Sequence, residues 1–106
     1  MVAPMSRLRI YDAVNNERAR QEKLYPGQET IADGTGCQWN WLEHFARNES
    51  ADELKSGKPS SAVILLEEVA EALAAENGTD LERELVEVAA CAVAWLERLQ
   101  ARTKGK

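Results

Sequence analysis

Histidine is nearly missing from this chain: one, His44, stands among 106 residues. A di-iron helical bundle needs Glu-x-x-His on each of two helices, so that chemistry is excluded. His44, preceded directly by Glu43, reads as a helix-edge residue. Cysteine is almost as scarce. Cys37 and Cys91 lie far apart in the sequence and form no metal-ligand pair, and Cys91, inside an apolar run, reads as a small buried hydrophobe. No Gly-x4-Gly-Lys-Ser/Thr run is present, which removes P-loop chemistry. Positive charge is in deficit, with 13 Lys and Arg against 18 Asp and Glu and a net charge of −5. That balance argues against a nucleic-acid polymer as partner, because such partners require a basic footprint. It leaves room for a small phosphorylated ligand, since a divalent cation bridges acidic protein and anionic substrate. No apolar stretch reaches membrane-spanning length. The start, "MVAPMSRLRIYDAV", lacks a basic region followed by an apolar one, so the expected location is cytoplasmic, without a membrane partner. There are no internal repeats.

What the chain does have is a helical pattern throughout. With 44% hydrophobic and 29% charged residues, residues 1–106 are expected to form one domain. "SRLRIYDAVNNERARQEKL" places Leu8, Tyr11, Ala13, Val14 and Leu24 between charges, as an amphipathic helix does. "YPGQETIADGTG" is expected to be a loop. "CQWNWLEHFARNESADEL" resumes the helical period through Trp41, Leu42 and Phe45, and "KSGKPSS" stops it. A third helix is expected to start near Ser60 or Ser61 and run to about Glu76. "NGTD" follows as a tight turn, with Gly78 as C-cap and Thr79 or Asp80 as N-cap. The last helix is expected over about residues 81–101, with "RTKGK" as a tail. The fold class is therefore all-α: a four-helix bundle whose last two helices form an antiparallel hairpin. Residues 88–96 are apolar on nearly every side of the last helix, and a helix of that kind must be covered on every side. One small protomer has too few helices to cover it, so an oligomer, a homodimer or homotetramer, is expected.

Within that hairpin stand glutamates in apolar surroundings. From residue 62 to residue 75 the only polar side chains are Glu67, Glu68 and Glu71, and from residue 86 to residue 96 the only one is Glu87, with Glu84 a turn earlier. At about 100° per residue, Glu71 lies roughly 60° and Glu67 roughly 100° from Glu68, so the three share one stripe. Ile64 and Ala75 flank that stripe. Glu84 and Glu87 share a side of the last helix with Cys91 and Ala94. A glutamate pair on a helix is ordinarily a solvated face supported by basic residues three or four positions away. Here Glu67, Glu68 and Glu71 have no such partner, and Glu87 has only Arg83. Unpaired carboxylates in an apolar cleft cost several kcal/mol each, roughly, unless they are neutralised or bind cations. An oxygen-only ligand set of this charge suits a hard divalent ion, Mg²⁺ or Mn²⁺.

"EEVAE" (Glu67, Glu68, Glu71), a twelve-residue gap and "ELVE" (Glu84, Glu87) resemble the EExxE…ExxD signature of the MazG-like all-α nucleoside triphosphate pyrophosphatases. The wider pattern "ERARQ…GTG…ILLEEVAEAL…ELVEVAACAVAWLE" also looks like that of small bacterial and phage members, from about Glu17 onward. The resemblance implies hydrolysis of a nucleoside triphosphate to a monophosphate and pyrophosphate. It implies Glu68, Glu71, Glu84 and Glu87 as ligands of Mg²⁺ or Mn²⁺, and Glu67 as a ligand of another ion or a group that orients water. One departure is Glu87, where the family signature closes on Asp. Substrate contacts are expected from Gln21 and Lys23 on the first helix, whose region matches the family in part. One of Trp39 and Trp41, expected on different sides of a helix, is a candidate to stack on a base, and Trp41 is the choice. The rival reading is a non-catalytic helical dimer, an interaction or regulatory module with a degenerate acidic cleft.

Overall fold

The computed structural model describes residues 4–104, and all of the regular structure among them is helical. The helices are α1 (Pro4–Leu24), α2 (Asn40–Lys55), α3 (Ser61–Ala74) and α4 (Gly78–Lys104), with short 3₁₀ turns at Gln28–Thr30 and Cys37–Trp39. The all-α class with four helices agrees with the sequence expectation. The chain divides into two compact units, Met1–Asp33 with Leu96–Lys106, and Gly34–Trp95.

In the Gly34–Trp95 unit, α2 packs against α3, and the 3₁₀ turn Cys37–Trp39 rests on both. The core is built from small side chains: Ala46 of α2 and Val63, Ala70 and Ala72 of α3 are buried. Val63 and Ala70 fall on one side of α3, and Ala72 falls about 40° from Glu68 on another, at 100° per residue. Helix α3 is thus covered on two sides, which places its glutamates among packed atoms rather than on an open face.

The ends of α3 are fixed by local chemistry. Ser60 is its N-cap, its hydroxyl accepting the Val63 amide at 3.2 Å. The Glu53 carboxylate in turn accepts the amide and hydroxyl of Ser60, so the last turn of α2 anchors the start of α3. At the other end the Gly36 amide donates to the Leu73 carbonyl at 2.8 Å, satisfying an end-of-helix acceptor. Gly36 has φ 136°, a backbone conformation open to glycine. A Cβ there would lie 2.8 Å from the Gln38 side-chain oxygen. The Gly34 carbonyl accepts from Gln38 and from the Trp39 indole, at 3.0 and 2.9 Å. The "ADGTG" segment therefore serves as a helix-capping turn.

Several boundaries differ from expectation. Helix α3 ends at Ala74, with Ala75 extended, rather than at Glu76. Helix α4 begins at Gly78, not at residue 81, because Asn77 is its cap: the Asn77 carbonyl accepts the first α-helical bond from Leu81, and its side-chain oxygen accepts the Asp80 amide at 2.8 Å. Asp80 accepts in return from the Asn77 amide group at 2.9 Å. A reciprocal cap of this kind contributes about 1 kcal/mol, and it turns Gly78 from the expected C-cap into the first residue of the following helix. Helix α4 continues to Lys104, so Arg102 and Thr103 of the expected tail are helical; Gly105 and Lys106 lie outside the described residues. Trp39 and Trp41 do not point apart. Trp39 lies in the 3₁₀ turn and Trp41 in α2, and the change of helix type brings their rings to 6.5 Å between centroids.

In the other unit Ile10 of α1 is buried, and Arg7 ties α1 to the last turns of α4 through a forked ion pair with Glu97 at 3.2–3.3 Å. The apolar stripe read from the sequence of α1 is uncovered: Leu8, Tyr11, Val14 and Leu24 are all about half exposed. Cys91, expected to be a small buried hydrophobe, is partly buried, and Cys37 is exposed. No helix among the described residues is long and apolar enough to cross a membrane.

Candidate metal site

Helices α3 and α4 are joined by only three residues, 75–77. Glu68 and Glu71 lie one turn apart on the first, and Glu84 and Glu87 one turn apart on the second. Each of these four glutamates offers one carboxylate oxygen, and those oxygens all lie within 4.8 Å of one another. Glu68, Glu71 and Glu84 are partly buried, whereas Glu87 is exposed and opens the cluster to solvent. Glu67 stands outside the group of four, yet its charge is felt at both Glu68 and Glu71.

A solvated acidic face would have every oxygen hydrated or paired. Here one oxygen of Glu68 and one of Glu84 are buried without a hydrogen-bond partner. Burial, followed by the hydrogen bond and charge of Glu87, holds the Glu68 carboxyl above the usual range, with smaller contributions from Glu84 and Glu67. Burial also dominates at Glu71, which is pushed up to about 7 with help from the charges of Glu68 and Glu84. These are the marks of carboxylates gathered against their own repulsion. An orphaned buried acceptor on each helix, on two of the four converging carboxylates, fits a hard divalent cation: such an ion takes carboxylate oxygens and removes both the desolvation and the repulsion.

The surroundings include residues that the sequence reading passed over. Arg83 pairs with Glu84 at 3.2 Å and with Asp80 at 3.4 Å, not with Glu87 as its spacing suggested. A cavity of about 460 Å³ adjoins the cluster, lined by Glu71 and Glu84 together with Glu43, Arg47, Asp80 and Arg83. Arg47 is paired with Glu43 one turn away at 3.1 Å. The sequence signal for this cavity was the Glu43–Arg47 pair at i, i+4 and the acidic, basic and acidic series Asp80, Arg83, Glu84; nothing in their spacing shows that α2 and α4 bring them together.

Trp41, Gln21 and Lys23 are the expected substrate contacts. Trp41 is 63% exposed. At 100° per residue it lies roughly 200° around α2 from Glu43, on the face it shares with Phe45, and it does not line the cavity. Gln21 and Lys23 belong to the other compact unit. There Gln21 accepts from Arg18 at 2.7 Å and donates to Glu17 at 3.1 Å, and Lys23 stands in the last turn of α1. His44 is exposed on α2. Comparison with known proteins yields no relative: no family model, curated protein or solved structure matches this chain.

Proposed function

We propose that the protein is a metal-dependent nucleotide pyrophosphohydrolase that converts a nucleoside triphosphate and water to a monophosphate and pyrophosphate. The observation that carries this reading is the convergence of Glu68, Glu71, Glu84 and Glu87 within 4.8 Å, with two of their oxygens buried and unpartnered. The resemblance of "EEVAE" and "ELVE" to the MazG-like signature supplies the reaction. When bound, Mg²⁺ or Mn²⁺ supplies Lewis-acid polarisation of the phosphoryl group and of the attacking water. The four glutamates hold the ions. Glu67 sits beside them, free either to carry a further ion or to orient the water. Glu87 reaches from one methylene further back than the family's Asp, and its exposure leaves it room to do so. The three-residue connection and the pairing of Glu68 and Glu71 with Glu84 and Glu87 support α3 and α4 as an antiparallel hairpin.

Incubation with a panel of canonical and modified nucleoside triphosphates, with Mg²⁺ and with chelator, tests the reading. Pyrophosphate and monophosphate should appear in equal amounts, and only with metal. A protein that binds metal yet releases no pyrophosphate from any nucleotide would instead be the non-catalytic helical module.

The same reading includes a homodimer or homotetramer. On α4, Leu85, Val86, Ala89 and Ala90 are all exposed at i, i+1, i+4 and i+5, with Val86 at 68%. An uncovered apolar patch of this kind is the mark of an interface. Light scattering at micromolar concentration should give a multiple of the 11.8 kDa chain, and Val86→Asp should shift it toward one chain. A wild-type monomer would remove the oligomer from the proposal.

A further inference from the structure

We infer that Arg47 and Arg83 form the polyphosphate subsite of this cleft and receive the pyrophosphate end of the substrate, an inference that rests on the metal-site reading above. The two guanidinium groups come from different helices, α2 and α4, and line one cavity with Glu71 and Glu84 of the cluster. Its volume, about 460 Å³, falls within the span of small-molecule sites. Both side chains are more than half exposed, so their donors are available to an incoming ligand. Each is held by carboxylates of its own helix: Arg47 by Glu43 at 3.1 Å, Arg83 by Asp80 at 3.4 Å and Glu84 at 3.2 Å. Guanidinium forks match the oxygens of phosphate groups in geometry as well as in charge.

The charge balance of the cavity orders the events. Five carboxyl groups line it against two guanidinium groups, so without metal it repels a polyphosphate. Each divalent cation at the cluster offsets two of those negative charges and lowers the repulsion. Glu84 is the link, because it is both a member of the four-oxygen group and the partner of Arg83. Arg83 holds Oε1 of Glu84 and leaves Oε2 unpartnered, so a cation on Oε2 draws on the charge of the same carboxylate and weakens its hold on the guanidinium. The Arg83 donors are then freer for phosphate oxygens, with the side chain still tethered by Asp80. Metal and anion binding are thereby coupled through one residue.

The coupling gives Arg83 a signature that a structural role does not share. Mn²⁺ binding is measured by electron paramagnetic resonance, and binding of inorganic pyrophosphate by calorimetry in saturating Mg²⁺. Arg83→Gln should bind Mn²⁺ as tightly as wild type or more tightly, since a competing cation is gone, yet bind pyrophosphate about tenfold more weakly. Arg47→Gln should lose about tenfold on pyrophosphate with unchanged Mn²⁺ binding. Lys55→Gln removes the same charge at the exposed end of α2, away from the cavity, and should stay within about twofold on both. Wild-type pyrophosphate affinity in both arginine variants, equal loss of Mn²⁺ and pyrophosphate in Arg83→Gln, or no pyrophosphate binding by a wild type that holds Mn²⁺ would each overturn the subsite alone. A wild type that binds no Mn²⁺ fails at the first titration, and the metal reading falls together with this one.

Discussion

Glu68→Gln is expected to abolish metal-dependent turnover while leaving the metal-free protein as stable as wild type, or more so. The sign follows from the site. Without metal, Glu68 keeps one buried oxygen without a partner and shares a confined space with Glu71, Glu84 and Glu87. Burial and the neighbouring carboxylates already hold its carboxyl above the usual range, so its charged form is disfavoured in the fold. Glutamine keeps the shape, removes the charge and brings a donor that the surrounding oxygens accept. With metal the order reverses. Wild type gains RT ln(1 + [L]/Kd), about 2.7 kcal/mol at a hundredfold excess over Kd, and the variant gains much less. Thermal melting of both proteins, with chelator and with Mg²⁺ or Mn²⁺, reads both halves of the expectation. An exposed surface glutamate would show neither effect, since such substitutions stay within roughly ±0.5 kcal/mol. Equal metal-induced shifts in the two proteins would mean that Glu68 ligates nothing, and the enzyme reading would have to be given up.

The glutamates were legible in the sequence for the reason that makes them costly in the fold. Glu67, Glu68, Glu71 and Glu87 interrupt apolar runs, and the 100° helical step alone puts each set on one side of its helix. The helices themselves were legible from the same periodicity. Their ends were not, because "NGTD" offers two competing caps. Gly78 suits a left-handed C-cap and Asn77 suits an N-cap, and local propensity separates these choices by little. The bond from Gly36 to the Leu73 carbonyl decides against extending α3, and that bond comes from a segment 37 residues away. The cavity was hidden for a related reason. Arg47 and Arg83 look like ordinary partners of Glu43 and Asp80 along their own helices, and only the packing of the unit brings Arg47 to the same cavity as Arg83, Glu71 and Glu84. The tryptophans were misjudged because the angular rule for an α-helix was carried across the 3₁₀ turn at Cys37–Trp39. The apolar stripe of α1 was read correctly as a stripe, yet Leu8, Tyr11 and Val14 remain uncovered in the single chain.

The pH dependence of stability should change sign when metal is added. Glu71 titrates near 7 in the fold, above its ordinary value, and Glu68 is shifted in the same direction. In the unfolded chain both return to the ordinary carboxylate range near 4.5. Between that value and about 7 the native metal-free state therefore binds more protons than the unfolded one. Linkage then requires its stability to fall as pH rises across this window. The contribution is fully present below the unfolded pKa and is lost as pH passes through the folded one. Exposed carboxylates with low pKa, such as Glu17 held to about 2 by Arg20 and Gln21, titrate below this window and leave it unaffected. Metal inverts the dependence because a cation must displace the protons that Glu71 and Glu68 retain. Below about pH 7, the proton displaced from Glu71 makes the affinity for Mn²⁺ rise about tenfold per pH unit, and above it that part of the dependence should level off. Melting temperatures between pH 5 and 8 should thus decline with chelator and climb with a fixed, subsaturating concentration of Mn²⁺. Glu71→Gln should flatten the declining curve, since a group that titrates in that window is gone, and should weaken Mn²⁺ binding at every pH. A wild-type curve with chelator that rises from pH 5 to 8, or a decline unchanged in Glu71→Gln, would show that Glu71 is not confined among like charges, and the cluster would then have no need of a cation.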